Sequence, residues 1–159
     1  KNFVNLAEDI LRQLASLKIV VNIKSNTYYS LVAEDKLKID LVNDSGRHFG
    51  KINNLPLLLQ TDNIENILAN KLIAIIGRDE PKDVVDIWAI YKNKKINWKE
   101  IFTASNSKAV GIFPPNIAER LAEFPINLLN EIKWVEGMRP NDIKFKKDID
   151  EIINKMLES

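Results

Sequence analysis

Near Asp62 the apolar residues of this chain stop alternating and begin to recur at helical spacing, and that change limits the folds open to it. Upstream, Lys18 to Lys24 (KIVVNIK), Thr27 to Ala33 (TYYSLVA) and Lys36 to Asn43 (KLKIDLVN) are rich in β-branched and aromatic residues at period two. The breaks between them, Ser25–Asn26 and Glu34–Asp35, are short enough for hairpin turns. Phe3 to Leu17 (FVNLAEDILRQLASL) precedes them as an amphipathic helix with Glu8, Asp9, Arg12 and Gln13 on its polar side. The expectation is an antiparallel meander with one helix packed on it, and Leu55 to Gln60 (LPLLLQ) adds a short apolar strand.

From Asp62 to Tyr91 the sequence reads as two helices joined by a sharp charged turn. Asp62 stands as the start signal of the first, with Glu65 in the capping-box position. Ile64, Ile67, Leu68, Leu72 and Ile75 mark its buried face. At roughly 100° per residue, Lys71 falls inside that apolar arc and Arg78 projects close to the same line. Gly77 gives the stop, Asp79 a cap for the next helix, and Pro81 a tolerated first-turn residue. The second helix buries Val84, Ile87, Trp88 and Tyr91, with Asp83 and Asp86 three apart on the flank. A lysine on an apolar face is costly unless it snorkels, pairs with a carboxylate or lines a cleft. Two readings follow: a structural ion pair across the helix corner, or a cluster of cations and carboxylates lining a phosphate-handling cleft.

Beyond Tyr91, a basic linker (KNKK, 92–95) leads to a helix capped by Asn97 and running through Asn106. A helix at 116–123 follows Pro114–Pro115, then a helix at 126–134, and a last amphipathic helix starting at Asn141 or Asp142 whose charges read as a solvated face. The fold class is therefore α+β: a small antiparallel sheet with a packed helix over residues 1–60, then an all-helical region over 61–159. At 159 residues, 45% hydrophobic and 28% charged, such a chain can bury one good core. A net charge of +1 gives no field directing it to nucleic acid or membrane, and no apolar run approaches a membrane span. The lack of cysteine removes thiolate chemistry and disulfides and fits a cytoplasmic protein.

Asp40 stands out within the strands. Leu37, Ile39 and Leu41 point one way, so Asp40 shares the other face with Lys38 and Val42. Asp is disfavoured in strand interiors, which leaves either a solvated side chain beside Lys38 or a carboxylate fixed on a rigid frame for a hard divalent cation. His48, the single histidine, lies in a turn-rich loop (NDSGRHFGK, 43–51) and reads as solvated more readily than catalytic.

The strand LKIDLV, a short apolar strand, and then NILANKLIAIIGRDEPKDVVDIW resemble the AbiEii/AbiGii-type nucleotidyltransferase toxin family. That family pairs a minimal nucleotidyltransferase core, of the polymerase-β-like superfamily, with a helical C-terminal region. Its motif order is an Asp on a late core strand, a helix with a lysine, an arginine, then a Lys/Arg–Asp step with another Asp three residues on. These are Asp40, Lys71, Arg78, Lys82–Asp83 and Asp86 here, and the resemblance covers about residues 1 to 93. It implies that residues 1–60 form part of a nucleotidyltransferase core. It further implies Asp40 as a Mg²⁺ ligand that also polarises the acceptor hydroxyl, and Lys71 as the group that neutralises phosphate charge. Arg78, Lys82, Asp83 and Asp86 would bind the nucleotide or brace the cleft.

The family's upstream G-G or G-S helix start and its D-x-D strand have no counterpart in this chain; Asp148–Asp150, the one D-x-D, sits on the last helix, where its side chains diverge. The chain begins at Lys1, and the expectation is a portion of a longer enzyme that transfers a nucleotide from a nucleoside triphosphate to a hydroxyl on RNA, protein or a small molecule. The resemblance also implies a cognate antitoxin as partner. The alternative is a degenerate remnant acting as a nucleotide-binding or protein-interaction module.

Overall fold

A computed structural model describes residues 2–44, 46–56 and 60–159. The chain forms two compact units, Lys1–Gly46 and Arg47–Ser159.

The first unit is one helix on a three-stranded meander. Helix α1 (Phe3–Gln13) starts at Asn2, whose side-chain oxygen accepts from the Asn5 amide at 3.0 Å. It ends four residues earlier than the periodicity suggests, because residues 14–17 form the turn that reverses the chain into the sheet. Strands β1 (Ile19–Lys24), β2 (Tyr28–Ala33) and β3 (Leu37–Val42) pair antiparallel in sequence order. The second hairpin turns at Glu34 and Asp35, both at positive φ (52° and 55°), the backbone twist that a two-residue turn between strands requires. Tyr29 and Leu31 point to α1, where they bury against Ala7 with Phe3, Leu11, Ile39 and Leu41 around them. The Tyr29 hydroxyl donates to Glu8 Oε1 at 3.0 Å, and Lys24 Nζ sits 2.5 Å from the same oxygen. Glu8, on the polar side of α1 by sequence, thus ties the helix to the sheet.

The second unit is helical, as the change of period near Asp62 implies. Helix α2 spans Ile64–Gly77, α3 Pro81–Asn93, α4 Trp98–Asn106, α5 Pro114–Ala122 and α6 Asp142–Leu157. Its core joins Leu68, Leu72 and Ile75 of α2 to Ile87 of α3, Ile101 of α4, Ile117 and Leu121 of α5, and Phe145 and Ile152 of α6. The cap of α2 is Asn63 rather than Asp62: its Oδ1 accepts the Asn66 amide at 2.7 Å, while its Nδ2 donates to the Phe49 and Lys51 carbonyls at 2.7 and 2.8 Å. An amide side chain both caps the helix and holds the incoming loop, which a carboxylate cannot do. Gly50 lies under that amide at φ 75°, where a Cβ would come within 2.7 Å of Asn63 Nδ2.

Asp79 does not cap α3 either. Glu80 occupies the cap position without a side-chain hydrogen bond, and Asp79 binds Arg120 of α5 instead. The helix expected over 126–134 is a 3₁₀ helix, Ile126–Glu131. Trp134 Nε1 donates to the Leu129 carbonyl at 2.8 Å, taking the acceptor that a continuing α-helix would use. The short strand expected at 55–60 centres on residues 57–59, outside the described residues; Asn53 and Thr61 flank it as an isolated antiparallel bridge.

Candidate active-site cluster at the helix corner

The corner between α2 and α3 collects four of the residues singled out by sequence. Asp83, in the first turn of α3, is completely buried. Lys71, on the inward arc of α2, places Nζ 2.7 Å from Asp83 Oδ1 and 2.5 Å from Asp86 Oδ2. Arg78, just past the end of α2, donates through Nε to Asp83 Oδ2 at 2.8 Å and through Nη2 to Asp83 Oδ1 at 3.2 Å. The flat guanidinium thus grips both carboxylate oxygens, a geometry an ammonium cannot reproduce.

Helical phase explains the convergence. Asp83 and Asp86 lie one turn apart on the α3 face that meets α2, so Lys71 fits between them. Burial by itself would raise the Asp83 pKa, but the hydrogen bonds from Arg78 and Lys71 outweigh it and hold the carboxyl below its ordinary range. Burial likewise opposes the charge of Lys71, and Asp83 and Asp86 overcome it, so its pKa is raised. Lys71, Arg78 and Asp83 are therefore ionised at neutral pH. The Lys71 side chain keeps 22% of its exposure and that of Asp86 46%, so the cluster has a closed floor at Asp83 and an open rim. Lys82 does not join it; its Nζ faces Glu80 at 3.6 Å on the outer side of the turn.

Asp40 lies in the first unit, directly opposite Ser30 in the β2–β3 register. Its Oδ1 accepts from Ser30 Oγ at 2.7 Å and from the Tyr28 hydroxyl at 2.9 Å, and its Oδ2 sits 2.9 Å from Lys38 Nζ. The hydrogen bond to Lys38, followed by that to Ser30, lowers its pKa to about 2. Asp40 is thus a carboxylate fixed on a strand and ionised at neutral pH. Among the described residues no group of three or more His, Cys, Asp or Glu side chains is placed to hold a metal ion. His48 packs against the start of α2 with Nε2 2.7 Å from Asp62 Oδ1, out of line for an N–H···O bond.

Arg120, which the sequence reading passed over, supports this corner, and Asp148, read there as part of a solvated face, holds α6 to α3 further along. Arg120 of α5 donates from Nε to the Ile75 carbonyl at 2.9 Å and from Nη2 to Asp79, pinning the α2–α3 turn on both sides of Arg78. No local spacing signals a contact 45 residues apart. Asp148 of α6 is 6% exposed and accepts from Trp88 Nε1 at 2.9 Å and Lys92 Nζ at 3.0 Å. Its signal was present: it lies three residues after Phe145 and four before Ile152, on the core stripe.

No curated protein and no solved structure matches the chain. The family model described as nucleotidyl transferase AbiEii toxin, type IV toxin–antitoxin system, matches residues 8–155. With its strand Asp, its helix lysine and its Arg-to-Asp corner all inside that span, the chain belongs to the AbiEii nucleotidyltransferase toxin family.

Proposed function

We propose that the protein transfers a nucleotide from a nucleoside triphosphate to a hydroxyl acceptor, with Lys71 as the cation that meets the phosphates. The observation carrying this reading is the asymmetry of the corner. Lys71 is held from below by the fully buried Asp83 and from the rim by the half-exposed Asp86. A phosphate oxygen can replace Asp86 at the ammonium without uncovering a buried charge, whereas Asp83 stays bound to Arg78. Asp83 is a positioning residue, Lys71 and Arg78 the phosphate-facing cations, and Asp86 the exchangeable counter-ion.

In the transfer, the acceptor oxygen forms a bond to the α-phosphorus, the bond from that phosphorus to the β-bridging oxygen breaks, and pyrophosphate leaves. Lys71 and Arg78 offset the charge that builds on the leaving group. The acceptor's proton passes to solvent, because a carboxyl with a pKa of about 2, such as Asp40, accepts a hydrogen bond but stores a proton poorly at neutral pH. A divalent metal would add charge neutralisation at the phosphates. Within the first unit Asp40 offers a hard, rigidly held oxygen donor of the kind such an ion takes, and among the described residues no group of three or more His, Cys, Asp or Glu side chains is placed to hold one. Nucleoside triphosphate donors place the activity in the cytoplasm, and a cognate antitoxin is the expected partner.

A second reading, a nucleotide- or protein-binding module without transfer, draws on the neutrality of the corner, where two cations meet two carboxylates with no ligand required. Incubation with Mg²⁺, α-labelled nucleoside triphosphates and an RNA or protein acceptor pool separates the two. Label should move to an acceptor, and Lys71→Ala should lower the rate about 100-fold with the circular-dichroism spectrum unchanged. Nucleotide binding without label transfer supports the second reading, and equal transfer by Lys71→Ala refutes the role given to Lys71.

A further inference from the structure

The basic linker over 92–95 (KNKK) carries α3 toward α4 and ends in residues that nothing in the chain engages. Lys92, its first lysine, is bound to Asp148. Lys94 and Lys95 are exposed, and among the described residues their side chains make no hydrogen bond or ion pair. The backbone here is extended, with φ/ψ of −138°/142° at Lys94 and −94°/91° at Asn97. Among the described residues the main-chain N–H and C=O groups of Lys95 and Ile96 make no hydrogen bond either. Two lysines without a counter-ion and a short stretch of unpaired backbone thus lie side by side.

Both lysines border an open groove of about 430 Å³ between the linker and α6. Tyr91, Ile96 and Trp98 give it an apolar floor, and Lys155 adds a cation on the wall that α6 provides. The carboxylates around it have other partners. Asp148 holds Lys92, and Glu151 accepts the Tyr91 hydroxyl at 2.7 Å. Glu158 meets Lys155 at 3.2 Å, an exposed pair one helical turn apart that contributes little. Glu65 and Glu100 share a second cavity of about 210 Å³ with Lys94 and Lys95, yet neither comes within ion-pair distance of them. The cations left over are Lys94 and Lys95.

We infer that this groove docks an acidic, extended segment of a partner protein, its carboxylates at Lys94, Lys95 and Lys155 and one apolar side chain on the floor of Tyr91 and Ile96. Charge complementarity selects an anionic occupant and fixes its register. Two consecutive extended residues with free N–H and C=O groups can pair with an extended strand, which selects a peptide. A nucleic-acid strand is disfavoured. Tyr91 and Trp98 stack on each other with centroids 6.4 Å apart at 22°, and Trp98 is 5% exposed, so their paired faces are closed to a base. None of Lys71, Arg78, Asp83 and Asp86 lines the groove, so docking there is separate from nucleotide transfer.

The test is an amide-resonance titration of the full chain with the acetylated and amidated pentapeptide DDLDD, its counterparts KKLKK and DDSDD, and a pentathymidylate strand. DDLDD should shift the Lys95, Ile96 and Trp98 amides saturably, and KKLKK should not. DDSDD should bind about tenfold more weakly, because it loses the apolar seat. Lys94→Gln with Lys95→Gln, both on the surface and outside the core, should weaken DDLDD about fivefold. Lys36→Gln, an exposed lysine of the first unit, should leave it unchanged. Pentathymidylate binding at these amides more tightly than DDLDD would assign the groove to nucleic acid and overturn the inference. Equal binding of KKLKK, or no saturable shift with DDLDD, overturns it too. The titration contains no nucleoside triphosphate, so its outcome is independent of whether transfer occurs.

Discussion

Lys71 and Asp83, twelve residues apart on two helices, meet at 2.7 Å with the carboxylate fully buried and the ammonium still reaching the surface. The pair is oriented by Arg78, which holds the opposite oxygen of Asp83 at 2.8 Å. A buried carboxylate with two cations is stable only as a set. Removing one member leaves charge uncompensated in a medium that solvates it poorly.

Asp83→Ala should therefore destabilise the protein by about 3–5 kcal/mol, read as a lower midpoint in urea denaturation. Asp83→Asn, which keeps the shape and one acceptor, should cost less. A double-mutant cycle of Asp83→Ala with Arg78→Ala should show strong coupling, because the second substitution removes a charge that the first had stranded. Additive losses would mean that the two side chains do not act as a unit.

The same carboxylate sets an acid limit. The folded pKa of Asp83 lies below its unfolded value of 3.8, so its contribution to stability is fully present above that value. The contribution declines as pH falls below 3.8 and through the lowered folded pKa. Acid denaturation followed by circular dichroism should be less steep for Asp83→Asn than for the parent over that window. Asp148, whose pKa is lowered by Trp88 and Lys92 against the opposing effect of burial, acts in the same direction.

At the alkaline end, burial first and then the Glu151 carboxylate, which accepts the Tyr91 hydroxyl at 2.7 Å, push the Tyr91 pKa up to about 12. Absorbance at the tyrosinate band should show a late-titrating phenol that is lost in Tyr91→Phe and shifted toward the ordinary range in Glu151→Gln. It stands beside that of Tyr29, whose pKa burial and Glu8 also raise. A tyrosinate curve unchanged by both substitutions would contradict the contact.

Trp88 and Asp148 dock α6 against α3 across 60 residues of sequence. Asp148→Ala leaves the half-buried indole N–H and the Lys92 ammonium without this acceptor, a loss of about 1–3 kcal/mol. Tryptophan emission should shift to the red as the indole environment loosens, and a fluorescence spectrum identical to the parent would count against the docking role.

Asn63 offers a separate test of the loop before α2. Asn63→Asp preserves the cap on the Asn66 amide but loses both donors to the Phe49 and Lys51 carbonyls. Hydrogen exchange at the loop amides 49–53 should accelerate in Asn63→Asp while α2 stays protected. Asn63→Ala should additionally lose about 1 kcal/mol from the missing cap.

Local pattern by itself determined the elements. Period two placed β1, β2 and β3, period 3.6 placed α2, α3 and α6, and Pro114–Pro115 and Asn97 marked where two shorter helices begin. It also put Lys71 on the inward arc and Asp83 on the flank of α3, because helical phase is fixed by residue count. What it left open was which polar atoms meet. Asp62 and Asn63 are adjacent and both able to cap; the choice fell to Asn63 because the loop from Phe49 to Lys51 presents two carbonyls that need a donor. Asp79 is drawn from its capping role by Arg120, and Asp148 from a solvated face by Trp88 and Lys92, through partners 41 to 60 residues away. Spacing along one helix cannot reveal such partners, because a buried charge or amide is satisfied by whatever group the packing of other helices brings within 3 Å.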